Sequence, residues 1–215
     1  MIKMIAFDLD GTICNTIQLC TDAFMIALKP YMEHELSEKD ILNTFGLNEE
    51  GMVKKLIKNN CEDALKNFYV CYEKLHDACT QPFSGIYEMI SFLKQKNIII
   101  PLITGKGEKS CNITLKKIGA ENLFDKIMYG SEKYPNKHES IKRLLADYEV
   151  KKDEFIYIGD SPMDIEACHT VGVCCCSAAW DKHSMLSKLK ELNPEHTYDT
   201  VEKLTQYLVN ILQNN

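Results

Sequence analysis

No stretch of this chain approaches the roughly 20 consecutive apolar residues needed to cross a bilayer. A secretory signal has no room either, because Asp8 interrupts the N-terminal apolar run. The chain therefore reads as cytoplasmic, with no membrane partner. An excess of basic residues is missing as well. Lys and Arg total 25 against 31 Asp and Glu, for a net charge of −6, which argues against a nucleic-acid binder. It leaves room for an enzyme that handles a small phosphate ester through one metal ion and one or two lysines. The six histidines show no H-x-H or H-E-x-x-H spacing, so a zinc site is not expected. The ten cysteines contain no C-x-x-C pair and no small-domain framework, and read as free thiols. Cys174-Cys175-Cys176 lie in an apolar stretch, where cysteine behaves as a small hydrophobe. Internal repeats and low-complexity segments are absent.

What remains is ordinary globular composition, 45% hydrophobic and 26% charged over 215 residues. That length accommodates a core plus a modest second unit, as a monomer or homodimer. The most informative stretch is Met4-Ile5-Ala6-Phe7-Asp8-Leu9-Asp10-Gly11-Thr12. Two-residue periodicity puts Asp8 and Asp10 on one side of an extended segment, and Gly11 permits a sharp turn. Like charges crowded at a strand end call for a cation or a phosphoryl group between them. A plain strand followed by an Asp-Gly hairpin turn is the rival reading.

Helical patterns at 15–28, 37–44, 49–58 and 61–79 follow, with no convincing strand across 14–81. Pro82-Phe83-Ser84-Gly85 ends this all-helical block. Beyond it, apolar runs at 98–103, 126–129, 155–158 and 172–177 alternate with helical patterns at 85–96, 108–118, 137–148 and 162–170. Further helices are expected at 183–191 and 200–213. Such alternation predicts an α/β fold, a doubly wound parallel sheet covered on both faces. Residues 1–14 and 82–215 would form this core, with 15–81 an inserted helical cap. Right-handed crossovers bring Asp8, Thr104 and Asp160, each at a strand end, to one edge of the sheet, where ligands of such folds bind.

Gly159-Asp160-Ser161-Pro162-Met163-Asp164 supplies the second acidic cluster. A helix cap at Asp160 or Ser161 and a metal site are equally open readings of it alone. Several carboxylates on one edge need a divalent cation, and hard oxygen ligands favour Mg²⁺.

These motifs in this order resemble the haloacid dehalogenase superfamily of phosphatases and phosphomutases along the whole chain. Asp8-Leu9-Asp10-Gly11-Thr12, Thr104, Lys137 and the 159–164 segment are similar to its four motifs. The resemblance implies that Asp8 attacks phosphorus and becomes an aspartyl phosphate, while Asp10 moves a proton to and from the reacting oxygens. It implies Mg²⁺ held by Asp8, the backbone carbonyl of Asp10, Asp160 and Asp164. Thr104 and Gly105 would bind the phosphoryl group, Lys137 would stabilise its charge, and Lys106 fits relatives carrying Thr-x-Lys. The likeness extends to phosphoglycolate phosphatases and their pyrophosphatase relatives, through Pro82-Phe83-Ser84-Gly85-Ile86 and the stretch ending at Trp180. His138 stands where that group usually has proline, and Asp181 where glycine is common. Trp180 is expected to pack and His138 to be exposed. Pyrophosphatase, nucleotidase and β-phosphoglucomutase-like activities, and a catalytically silent binding protein, are the alternatives. Thr16-Ile17-Gln18-Leu19-Cys20 lacks the histidine usual in such mutases, which favours a hydrolase. Candidate cap contacts to substrate are Thr16, Cys20, Phe24, Phe45 and Gly46.

Overall fold

A computed structural model describes residues 1–32 and 36–213. Six parallel strands run in the order β3-β2-β1-β4-β5-β6. They are β1 (Met4–Phe7), β2 (Pro101–Ile103), β3 (Lys126–Met128), β4 (Phe155–Gly159), β5 (Cys174–Ala178) and β6 (Thr197–Tyr198). The chain winds outward one way from β1 through β2 to β3, and the other way from β4 to β6. The winding reverses between β1 and β4, which pair from Met4↔Phe155 to Phe7↔Ile158.

The central strands are apolar throughout because both faces are covered. Ile5, Phe7, Ile156 and Ile158 point into one buried cluster, packed by α5 (Ile86–Gln95), α6 (Glu108–Lys117) and α10 (Val201–Gln213). Met4, Ala6, Phe155 and Tyr157 alternate onto the opposite face, under α7 (Lys137–Asp147) and α8 (Pro162–Val171). The cysteine run follows the same alternation. Cys176 is buried on the first face and Cys175 on the second, consistent with their role as small hydrophobes. The short helix α9 (Leu186–Leu192) lies between β5 and β6.

Between β1 and α5 the chain makes α1 (Ile17–Leu28), α2 (Glu38–Leu42), α3 (Glu49–Leu56) and α4 (Cys61–Leu75). These helices enclose a separate apolar cluster, in which the Phe24 and Phe68 rings lie 4.2 Å apart and Phe68 stacks on Tyr72. The entering and leaving segments run side by side, the Phe83 N–H donating to the Ile13 carbonyl at 2.9 Å.

The helical unit rests on α6. Thr114 of α6 shares hydrogen bonds with the Tyr72 hydroxyl, at 2.8 Å, and His76 Nε2, at 3.0 Å. His76 Nδ1 lies 2.8 Å from the Cys79 carbonyl, which can only accept. Nδ1 therefore carries the proton, Nε2 accepts from Thr114, and Tyr72 donates to Thr114.

β6 is the one strand that sequence pattern did not suggest; two residues are too few for a periodicity signal. The last long helical patterns start later than expected, α9 at Leu186 and α10 at Val201. The 61–79 pattern divides into α4 and a 3₁₀ turn at His76–Ala78.

Candidate active site

Asp8 follows β1 and Asp160 follows β4, side by side at the point where strand order reverses. Asp164 joins them from the first turn of α8. Ligand oxygens of Asp8, Asp160 and Asp164 lie within 4.8 Å of one another. Gly11 makes this approach possible. Its φ is +72°, and a Cβ there would stand 2.2 Å from an Asp160 carboxylate oxygen.

The local folding of the second cluster separates two jobs. Ser161 caps α8: its hydroxyl accepts from the Asp164 N–H at 3.3 Å, and its own N–H donates to Asp164 Oδ2 at 3.0 Å. Pro162 opens the helix at a position where no N–H is needed. The capping role thus falls to Ser161, and Asp160 stays available to the site.

Lys137, at the start of α7, ties the cluster together. Its ammonium donates to Asp8 Oδ2 at 2.7 Å and to Asp164 Oδ1 at 2.6 Å. Asp164 is also held by the Tyr157 hydroxyl at 3.0 Å. Asp160 has no ion-pair partner among the described residues. Three buried carboxylates therefore cluster around one ammonium that pairs with two of them. Burial is the main force raising the Asp8 pKa to about 7; Lys137 opposes it, and Asp164 and Asp10 add to it. Burial first, then the Asp8 charge, pushes Asp160 well above the usual carboxylate range. Asp164 moves the other way. Burial raises it, but Lys137 and the Ser161 donors outweigh that and hold it low. An all-oxygen donor set with a deficit of positive charge fits a hard divalent cation such as Mg²⁺.

Asp10 faces away from this cluster, toward the helical unit. The Thr16 hydroxyl donates to its Oδ1, and the Lys106 ammonium lies 3.3 Å from the same oxygen. Lys106 is buried and sits 4.4 Å over the Tyr72 ring. Thr104 follows β2, and its hydroxyl oxygen accepts the Lys106 N–H at 3.1 Å. That bond closes a tight turn which presents Gly105 and Lys106, rather than the Thr104 side chain, to the cavity.

The cavity measures about 550 Å³ and is lined by Asp8, Asp10, Gly105, Lys106, Lys137 and Asp160, together with α1–α3 residues. A larger cleft of about 930 Å³ between α4 and α6 contains none of these groups. Of the expected cap contacts, Cys20, Phe45 and Gly46 line the cavity. Thr16 instead bonds Asp10, and Phe24 is consumed in the helical unit's own core. Trp180 packs as expected, and its indole N–H donates to the Thr12 carbonyl at 3.1 Å, bracing the first-motif loop. His138 is half-buried rather than exposed. Buried Asp181 accepts from the His183 N–H at 2.6 Å, shaping a turn at the cavity rim.

Glu49 was not suggested by sequence. It looks like an ordinary first-turn acid of α3, yet it is 2% exposed. Its carboxylate accepts from the Gly107 N–H at 2.8 Å and from the Ser110 hydroxyl, so it caps α6 across the boundary between helical unit and sheet core. No local pattern signals such a long-range cap.

Residues 5–178 match the family model described as haloacid dehalogenase-like hydrolase. A Clostridium perfringens protein bearing the provisional name pyrophosphatase PpaX is 30% identical, covering 95% of this chain and 99% of that protein. A haloacid dehalogenase-like family hydrolase from Streptococcus pneumoniae superposes with a TM-score of 0.76 at 22% identity, covering 96% of this chain and 98% of that one. A Lactobacillus delbrueckii structure, provisionally named phosphoglycolate phosphatase, gives a TM-score of 0.75 at 20% identity, covering 95% and 97%. The chain belongs to the haloacid dehalogenase-like hydrolase family.

Proposed function

We propose that this protein is a Mg²⁺-dependent phosphatase that hydrolyses a small phosphate monoester through an aspartyl phosphate on Asp8, with residues 15–81 acting as the cap. The observation that carries this reading is the Lys137 ammonium bridging Asp8 and Asp164 beside an unpaired Asp160. Asp8, Asp160 and Asp164, with the Asp10 backbone carbonyl, would hold the ion. When bound, Mg²⁺ offsets the charge of the carboxylates and of the phosphoryl group.

Lys137 keeps the Asp8 oxygens oriented, and Asp8 attacks phosphorus. Asp10 is held by the Thr16 hydroxyl and Lys106. It gives a proton to the departing oxygen, and afterwards takes one from the water that attacks the aspartyl phosphate. Gly105, Lys106 and Thr104 form the loop that would receive the phosphoryl oxygens.

The test is phosphate release from a panel of monoesters with Mg²⁺, with EDTA, and in Asp8→Asn. Turnover that survives EDTA or the substitution would overturn the reading. A pyrophosphatase is the second reading, supported by the name PpaX carried by the C. perfringens relative. Phosphoglycolate and pyrophosphate both belong in the panel for that reason.

A further inference from the structure

The cavity's charge inventory bears on the group that leaves with the alcohol oxygen, and this inference rests on the phosphatase reading. Two lysines line the cavity, and each is already engaged. Lys137 is held by Asp8 and Asp164, and Lys106 by Asp10 with the Tyr72 ring beneath it. Arg143, the single arginine of the sequence, pairs with Asp147 on α7 and is not in the lining. The fixed charges beyond Asp10 are acidic, Glu38 and Glu49. A substrate with a second anionic group would therefore bring that group to a wall with no uncommitted lysine or arginine.

Apart from Gln18, Ser161, His183 and Ser184, the rest of that wall is apolar. Ile17, Phe45, Leu47 and Met52 line it from the helical unit, and Met163 and Met185 from the sheet core. Leu42, Met163 and Met185 are 41%, 41% and 53% exposed, so three of the chain's exposed large hydrophobics ring one cavity. Apolar side chains gathered at a concave site mark a ligand surface, and methionine adapts to varied shapes. Its volume of about 550 Å³ lies within the range of small-ligand sites.

We infer that the substrate is a phosphate monoester whose leaving group is uncharged and largely apolar, seated against Phe45, Leu47 and Met52, and that compact compounds carrying a second anionic group, such as phosphoglycolate or pyrophosphate, are poor substrates. A carboxylate or second phosphate would lose its hydration at this wall without a compensating cation. An apolar alcohol would gain by leaving water there.

The experiment measures kcat/KM with Mg²⁺ at pH 8. Benzyl phosphate is compared with phosphoglycolate and pyrophosphate; both organic esters release an alcohol. Wild type is expected to favour benzyl phosphate by about tenfold or more, the discrimination one well-filled apolar pocket supplies. Leu42→Arg, at an exposed position, should narrow that ratio by raising phosphoglycolate turnover. Equal or better use of phosphoglycolate or pyrophosphate, with turnover still lost in Asp8→Asn, would overturn the leaving-group inference and leave the phosphatase reading standing. Absence of Asp8-dependent hydrolysis of every compound would overturn that reading instead. A ratio unchanged in a folded Leu42→Arg protein would also count against the apolar wall.

Discussion

The Lys106 ammonium lies 3.3 Å from the Asp10 carboxylate and is 4% exposed, so the proposed proton-transfer group has a fixed positive neighbour. Burial lowers the pKa of this lysine. The surrounding acids, Asp10 foremost, outweigh that and hold it well above its usual value, so it stays charged. Lys106→Met would keep the shape and remove the charge. We expect kcat to fall by about 100-fold, the lower range for loss of a positioned proton-transfer partner. Thermal stability should fall, because removing one partner of a buried ion pair leaves the Asp10 carboxylate without its compensating charge. Steady-state kinetics and calorimetry on the same preparation check both halves. Unchanged kcat would show that Lys106 does not serve Asp10.

Asp8 and Asp10 should fail in different ways. On the proposed mechanism Asp8→Asn removes the nucleophile and leaves no turnover. Asp10→Asn keeps the nucleophile, the acidic triple and Lys137, and loses about 10²–10⁴ in rate. Trapping the acyl phosphate with hydroxylamine separates them, because labelling should disappear in the first variant and persist in the second.

At Gly51 the helical unit packs closely against the loop before α7. A Cβ there would stand 2.3 Å from the Glu132 carbonyl oxygen, beside the hydrogen bond from the Asn48 N–H to the Ser131 carbonyl at 2.9 Å. Gly51→Ala must push α3 away from that loop. The expected outcome is a raised KM and faster proteolysis in the two connecting segments, with the sheet core intact. An alanine variant with wild-type KM and protease resistance would show that this contact is dispensable.

His76 links folding to pH. Burial, the largest influence on it, lowers its pKa from 6.5. The folded protein then binds fewer protons at this site than the unfolded chain does. Its contribution to stability is present above pH 6.5 and is lost as pH falls from there through the lowered value. Urea unfolding at pH 7.5 and 5.5 should give a lower midpoint at the acid pH. The drop should be shallower in His76→Gln. Equal slopes in the two proteins would remove His76 from the account.

Much of the sheet was legible because β1 and β4 are apolar at every position, the mark of strands buried on both faces. Asp8, Asp160 and Asp164 were legible because each stands one step beyond a strand or inside the first turn of α8. Glu49, Tyr72 and Met185 were not. Each owes its place in or beside the site to residues distant in sequence. Glu49 acts on Gly107 and Ser110 of the next unit, and Tyr72 lies under Lys106. Thr104 shows the reverse case, a motif residue found where expected whose hydroxyl is turned into its own loop.

The hydrogen bond of 2.9 Å from the Phe83 N–H to the Ile13 carbonyl has a consequence for ancestry. To the sheet core, everything between those residues is one loop whose ends are already closed. Lengthening such a loop adds entropy cost only as the logarithm of its length, roughly 0.6 kcal/mol per doubling. Helices inserted here can therefore be lost, enlarged or replaced at this junction while Asp8, Asp160 and Lys137 keep their places.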